Sequence, residues 1–194
     1  YEGCLQLDPE SAWAYHGLAS CLYRLGQQGA AIHQFDQALR LSPDLFESHL
    51  GKGIAEKETG LLQSAVKSLS MALQLNPGEA NAHLNMGLIR HAMGQLDAAL
   101  RHYDRTIELN SECAQAYNNR GVLYHEMRRF DAALSDYRRS IELNPGDPDA
   151  MWNHAQALLE CKNFIEGWHF YLQRHKVSGN NPPFWMHGVD RWTW

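Results

Sequence analysis

The sequence lacks the features that commit a chain to several common functions. No stretch reaches the ~18 uninterrupted apolar residues that a membrane-spanning helix needs, so no span is predicted. Cationic charge is scarce: 17 Lys and Arg stand against 22 Asp and Glu, a formal net charge of −5 over 194 residues. Such a chain is a poor generic binder of nucleic acid or anionic membrane, both of which need a cationic field. Cysteine is sparse, at four (Cys4, Cys21, Cys113, Cys161), with no C-x-x-C and no pair at metal-ligand spacing. Scattered single cysteines suit a reducing compartment, where they act as small buried hydrophobes, and the cytoplasm is the expected location. No signal peptide opens the chain, and a start at Tyr1 rather than Met reads as the edge of something longer. No phosphate-cradling loop and no nucleophile–base constellation is present. The chain therefore reads as non-enzymatic, with no catalytic residue, cofactor or metal predicted.

What is present is a repeat. The segments QFDQALRLSPD, SLSMALQLNPG, HYDRTIELNSE and DYRRSIELNPG recur at a spacing of 34 residues. Setting the register on Ala31, Ala65, Ala99, Ala133 and Gly167 gives five units, 12–45, 46–79, 80–113, 114–147 and 148–181. Residues 1–11 read as the end of a preceding unit, and 182–194 as an aromatic cap or linker. Apolar and small residues at helical spacing (Tyr15, Leu18, Ala19, Leu22; then Ala31, Phe35, Ala38, Leu39) predict two helices per unit. Gly26, Gly60 and Gly94 stand where the first helix must turn, a place that suits positive φ. Arg128 and Lys162 replace them in the last two units, which predicts a different turn there. Pro43, Pro77 and Pro145 close the second helix. The small column Ala19, Gly53, Gly87, Gly121 and Ala155 allows close helix approach, and Phe35, Leu69, Tyr103, Tyr137 and Tyr171 are predicted to fill the space between units.

On these positions the chain resembles the tetratricopeptide repeat (TPR) family, over the five units. The resemblance implies an all-α, right-handed α-solenoid of helix-turn-helix hairpins, with first helices lining a concave groove. One hairpin cannot bury its own apolar face, and stacking completes the core.

The sixth position of each unit reads Gly17, Gly51, Asn85, Asn119 and Asn153. Asparagine is poor inside helices, and three in one column form a ladder of amide donors and acceptors suited to an extended peptide backbone. The resemblance supports that role; a structural bridge between helices is the other reading. Trp13, His16 and Trp152 share the groove-facing set as aromatic anchors. The adjoining Leu84, Leu88, Asn118, Asp149 and Trp152 supply no cationic clamp for a C-terminal carboxylate. The expected function is therefore a scaffold binding a protein or peptide partner in the groove.

Lys52, Glu56, Arg90 and Arg120 intrude where the family places apolar residues, and Glu56 with Arg90 is a geometrically reasonable ion pair between units. The Arg128, Arg129, Arg138 and Arg139 run, alternating with Asp131 and Asp136, reads as a solvated outer face. Equivalent histidines (His49 and His83, His91 and His125) lie one repeat apart, ~10 Å, too far for joint metal ligation. The last unit is degenerate. Its Glu166, Gly167, Trp168, Tyr171 and Arg174, followed by Pro182, Pro183, Phe184, Trp185 and Gly188, resemble the closing repeat of bacterial TPR proteins linked to a glycosyltransferase-like domain. A substrate-recruiting arm and a self-assembling scaffold, joined through the array end or the aromatic tail, remain as alternatives.

Overall fold

A computed structural model describes residues 10–177, the side chains of 174–177 aside. Cys4, residues 1–9 of the preceding-unit segment, Gly179 and the aromatic stretch 182–194 lie outside the described residues. Among the described residues there are ten α-helices and no strand. They pair as α1 (Ala12–Arg24) with α2 (Gln28–Leu41), α3 (Phe46–Glu58) with α4 (Leu62–Leu75), and α5 (Ala80–Ala92) with α6 (Leu96–Leu109). Then come α7 (Ala114–Glu126) with α8 (Phe130–Leu143) and α9 (Pro148–Glu160) with α10 (Phe164–Val177). The first three hairpins form one compact group, ending at Leu109, and the last two form another, beginning at Asn110.

Local sequence explains where helices begin. Ser11 caps α1 by accepting from the Ala14 amide, and Asp147 caps α9 by accepting from Asp149 and Ala150, with Pro148 in the first turn. The turns inside the hairpins hold a surprise. Gly26, Gly60 and Gly94 have φ of 76°, 77° and 71°, and Arg128 and Lys162 adopt the same left-handed conformation at 61° and 63°. The different turn predicted for the last two hairpins is thus corrected. Neighbouring backbone dictates the geometry and the side chain bears the steric cost of about 1–2 kcal/mol. Arg128 recovers part of it by laying its guanidinium 4.9 Å from the centre of the Phe130 ring.

Packing inside a hairpin is ring against glycine. A Cβ on Gly87 would lie 2.6 Å from the Tyr103 ring, and one on Gly121 would lie 2.7 Å from Tyr137. Both tyrosine side chains are buried in this way, each burial contributing about 1.5–3 kcal/mol. The aromatic column thus fills its own hairpin as well as the gap to the next, where Phe35 meets Gly51 of the following helix pair. Two further expectations are corrected. Cys21 and Cys161 are exposed, and Asp136 is buried away from the solvated arginine face.

The charged intruders pair within their own surroundings. Lys52 reaches Asp36 at 2.6 Å, and Glu56 accepts from Ser68 Oγ at 2.7 Å with Lys52 at 3.8 Å. Burial pushes the Glu56 carboxyl above its usual range, opposed by Ser68 and Lys52. Arg90 instead donates to Gln95 Oε1 at 2.7 Å, so the expected Glu56–Arg90 pair does not form. Arg120 holds Asp136 with two bonds, Nε to Oδ2 at 2.7 Å and Nη2 to Oδ1 at 2.8 Å.

Candidate functional site

Within each group the first helices touch their counterparts: α1 meets α3, α3 meets α5, and α7 meets α9. Their shared side is the wall that the sixth-position residues occupy. In the first group this wall carries a cleft of about 300 Å³. Its floor is Phe35, Leu50, Gly51 and Ile54, and its rim includes Ser20, Tyr23, Arg24 and Glu47. The Phe35 ring reaches this floor because Gly51 brings no side chain; any Cβ there would lie 2.5 Å from the ring. At one edge the Tyr23 hydroxyl donates to Glu58 Oε1, and Gln28 donates to Oε2 at 3.1 Å. Burial, aided by Glu58, pushes the Tyr23 phenol up to about 12, while the Tyr23 hydrogen bond holds the Glu58 carboxyl below its usual range.

Trp13 is 58% exposed beside this wall and meets His16 edge-on, with ring centres 5.6 Å apart. His16 is occupied structurally: its Nδ1 lies 3.0 Å from Ser48 Oγ, joining α1 to α3, and burial lowers its proton affinity. Asn85 is only 6% exposed. Its Oδ1 accepts from Lys57 Nζ at 2.7 Å, and its Nδ2 donates to Asn81 O at 2.9 Å and Asn81 Oδ1 at 2.7 Å. Lys57 and Asn81 are inner-wall residues that sequence reasoning did not single out. Burial lowers the Lys57 ammonium below the usual lysine range.

The second group presents its own inner face. Asn153 Nδ2 donates to Asn118 Oδ1 at 3.1 Å. Asn119 Nδ2 is buried with no hydrogen-bond partner, a donor lacking the acceptor that such an atom ordinarily has. Trp152 is 37% exposed and packs against Tyr171 with ring centres 5.5 Å apart. His125 Nε2 lies 3.2 Å from Glu160. The Tyr23–Glu58, Asn118–Asn153 and His125–Glu160 contacts all join residues 35 apart, one repeat plus one. That offset follows from sliding one first helix along the next. A search at the repeat length plus one would have found these contacts in the sequence; 34 alone hides them.

Among the described residues, no group of three or more His, Cys, Asp or Glu side chains is placed to hold a metal ion, and no helix is long and apolar enough to cross a membrane.

Comparison with known proteins bears on the whole array. No curated protein matches the chain in sequence. Its fold is similar to YrrB, whose structure is titled a TPR protein with an unusual peptide-binding site, at 20% identity and a TM-score of 0.72 over 93% of each chain. It is also similar to MamA from Desulfovibrio magneticus RS-1, at 17% identity and a TM-score of 0.78, covering 86% of this chain and 94% of that one. For PilF of Pseudomonas aeruginosa the values are 18% and 0.80, over 89% and 79%. Residues 12–45 and 114–147 each match the tetratricopeptide repeat family, and 87–127 match a further TPR repeat description. With ten helices in hairpins, glycine-seated rings and these matches, the chain is a tetratricopeptide repeat protein, an all-α solenoid.

Proposed function

We propose that this protein is a non-enzymatic scaffold whose inner faces hold an extended segment of a partner protein. The observation that carries the reading is the cleft between α1 and α3, an apolar floor where the Phe35 ring seats on Gly51, framed by polar groups. Concave apolar sites with a few convergent polar groups are the usual form of a binding site. Trp13 and Trp152, exposed on the inner faces, supply aromatic anchors of the kind that dominate recognition energy. The unpartnered Asn119 donor suits a partner's backbone carbonyl, and Asn85 and Asn153, with His16, hold neighbouring side chains in place around the bound segment. TPR proteins commonly bind protein partners, and the peptide-binding site named for YrrB is consistent with that use here.

Peptides selected from a random display library against the full chain test the proposal. Binding should weaken about tenfold or more with Ile54→Glu or Trp13→Ala. Replacing Asn85, Asn119 and Asn153 together by Ala should weaken binding while helicity is retained. Unchanged affinity in all of these variants would overturn the reading.

A second reading, self-association, is favoured by the open face of α10, where Phe164, Ile165 and Trp168 are exposed. Light scattering on the full chain and on a version ending at residue 181 separates it from a monomeric binder. The glycosyltransferase-arm alternative rests on residues 166–174 and 182–188, and none of the matched families adds to it.

A further inference from the structure

Among the described residues, the third hairpin contains a pair of imidazoles found in no other hairpin. His83 on α5 and His102 on α6 approach Nδ1 to Nδ1 at 3.1 Å, with rings inclined by 38°. His83 Nε2 lies 3.1 Å from the Pro77 carbonyl oxygen. A carbonyl only accepts, so Nε2 carries the proton and His83 Nδ1 presents a lone pair toward His102. The same fastening recurs one repeat earlier, where His49 Nε2 lies 2.8 Å from Pro43 O. There the residue matching His102 is Ser68, which donates to Glu56, and no second imidazole faces His49. The carbonyl fastening is therefore general, and His102 is what makes the third hairpin different.

We propose that His83 and His102 form a two-imidazole chelate for a late first-row divalent ion, Cu²⁺ before others, which staples α5 to α6. Two nitrogens ~2.0 Å from one metal lie about 2.8–3.3 Å apart for right-angle to tetrahedral bonding, and the observed separation falls inside that range. A metal-ligating histidine characteristically donates its other ring N–H to a carbonyl or carboxylate, which fixes its tautomer and orientation. Pro77 O provides that support before any ion arrives. The two nitrogens face each other head-on, as in an Nδ1–H···Nδ1 hydrogen bond; with the His102 proton on Nε2, a turn of each ring about its Cβ–Cγ bond brings both lone pairs onto one ion, with water completing the coordination. Arg90 and Arg101 act electrostatically on His102 and oppose added positive charge. That repulsion weakens all divalent ions alike, and the order among them is set by affinity for imidazole, which the Irving–Williams series places highest at Cu²⁺, an ion whose tetragonal preference is met by two nitrogens and waters.

The test is titration of the tag-free full chain with Cu²⁺, followed by calorimetry and electron paramagnetic resonance. The expected result is a 1:1 class of sites whose spin-echo modulation shows two equatorial imidazoles. Occupancy should raise the melting temperature, since the ion binds the folded pairing. His83→Gln and His102→Gln should each weaken this class about tenfold or more, with helicity by circular dichroism unchanged, and His49→Gln should leave it intact. A single-imidazole signature in the unaltered protein would overturn the proposal without recourse to any variant. Binding that survives His102→Gln would overturn it as well.

Discussion

At the turn between the two helices of hairpins one to three, the backbone passes through positive φ on Gly26, Gly60 and Gly94; in hairpins four and five the same conformation is carried by Arg128 and Lys162. The seventh position of each unit differs as well. In the first group it is Leu18, Lys52 and Met86, and in the second it is Arg120 and His154. Lys52 and Arg120 each find a carboxylate, whereas both ring nitrogens of the 2%-exposed His154 lack a partner. Two groups with different side chains arrive at the same helix lengths, 13 and 14 residues, in every hairpin. Stacking imposes the backbone, and residues at the turns and the seventh position are accommodated afterwards at varying local cost.

Substitutions can sharpen or break this contrast. The largest effect is expected for Asp136→Ala, which removes the carboxylate that takes two hydrogen bonds from the largely buried Arg120 guanidinium and should cost about 3–5 kcal/mol in chemical denaturation. Replacing both partners, with Arg120→Met and Asp136→Leu, should return most of that loss. Next comes Gly87→Ala, whose new methyl would press on the buried Tyr103 ring; a destabilisation of about 1–3 kcal/mol is expected. Comparable stability to the unaltered chain would show that the ring can give way.

The turns should give smaller and opposite changes. Gly94→Ala forces a side chain into positive φ and should lose about 1 kcal/mol, whereas Arg128→Gly should gain a similar amount. If Arg128→Gly instead destabilises, its contact with Phe130 outweighs the backbone cost. The last prediction vanishes at neutral pH. Burial, aided by Arg138, pushes His154 down to about 4 from an ordinary value of 6.5. The unfolded chain then binds the proton more readily than the folded one. The histidine-linked part of stability should therefore be complete above pH 6.5 and decline as pH falls toward 4. Melting curves of His154→Leu should show a shallower loss through that interval; an identical slope would place the acid sensitivity elsewhere.

The repeat made much of this architecture legible in advance. Gly26, Gly60, Gly94 and the ring column Phe35, Tyr103 and Tyr137 sit at fixed offsets, and fixed offsets in a stack become fixed neighbours. Trp13 and Trp152 were identified as exposed in the same way. Less legible were contacts whose sequence separation depends on how far one helix slides along the next: Lys57 with Asn85 at 28 residues, and Tyr23 with Glu58 at 35. Of the two readings of the Asn85 amide, peptide contact and structural bridge, the packing realises the bridge: it is taken up by Lys57 and Asn81, side chains from an adjacent and from the same helix. The cleft was hidden for another reason. Its floor depends on the Phe35 ring seating on Gly51, and that seat is read from sequence only once the opposing ring is known.

Around Gly26, Gly60 and Gly94 no heavy atom lies within 4 Å of where a Cβ would sit, and Arg128 and Lys162 show that side chains do occupy the matching places. A side chain there meets no neighbour, so these turns can take on charge, bulk or a chemical tag by single substitutions while the packed helices behind them stay as they are.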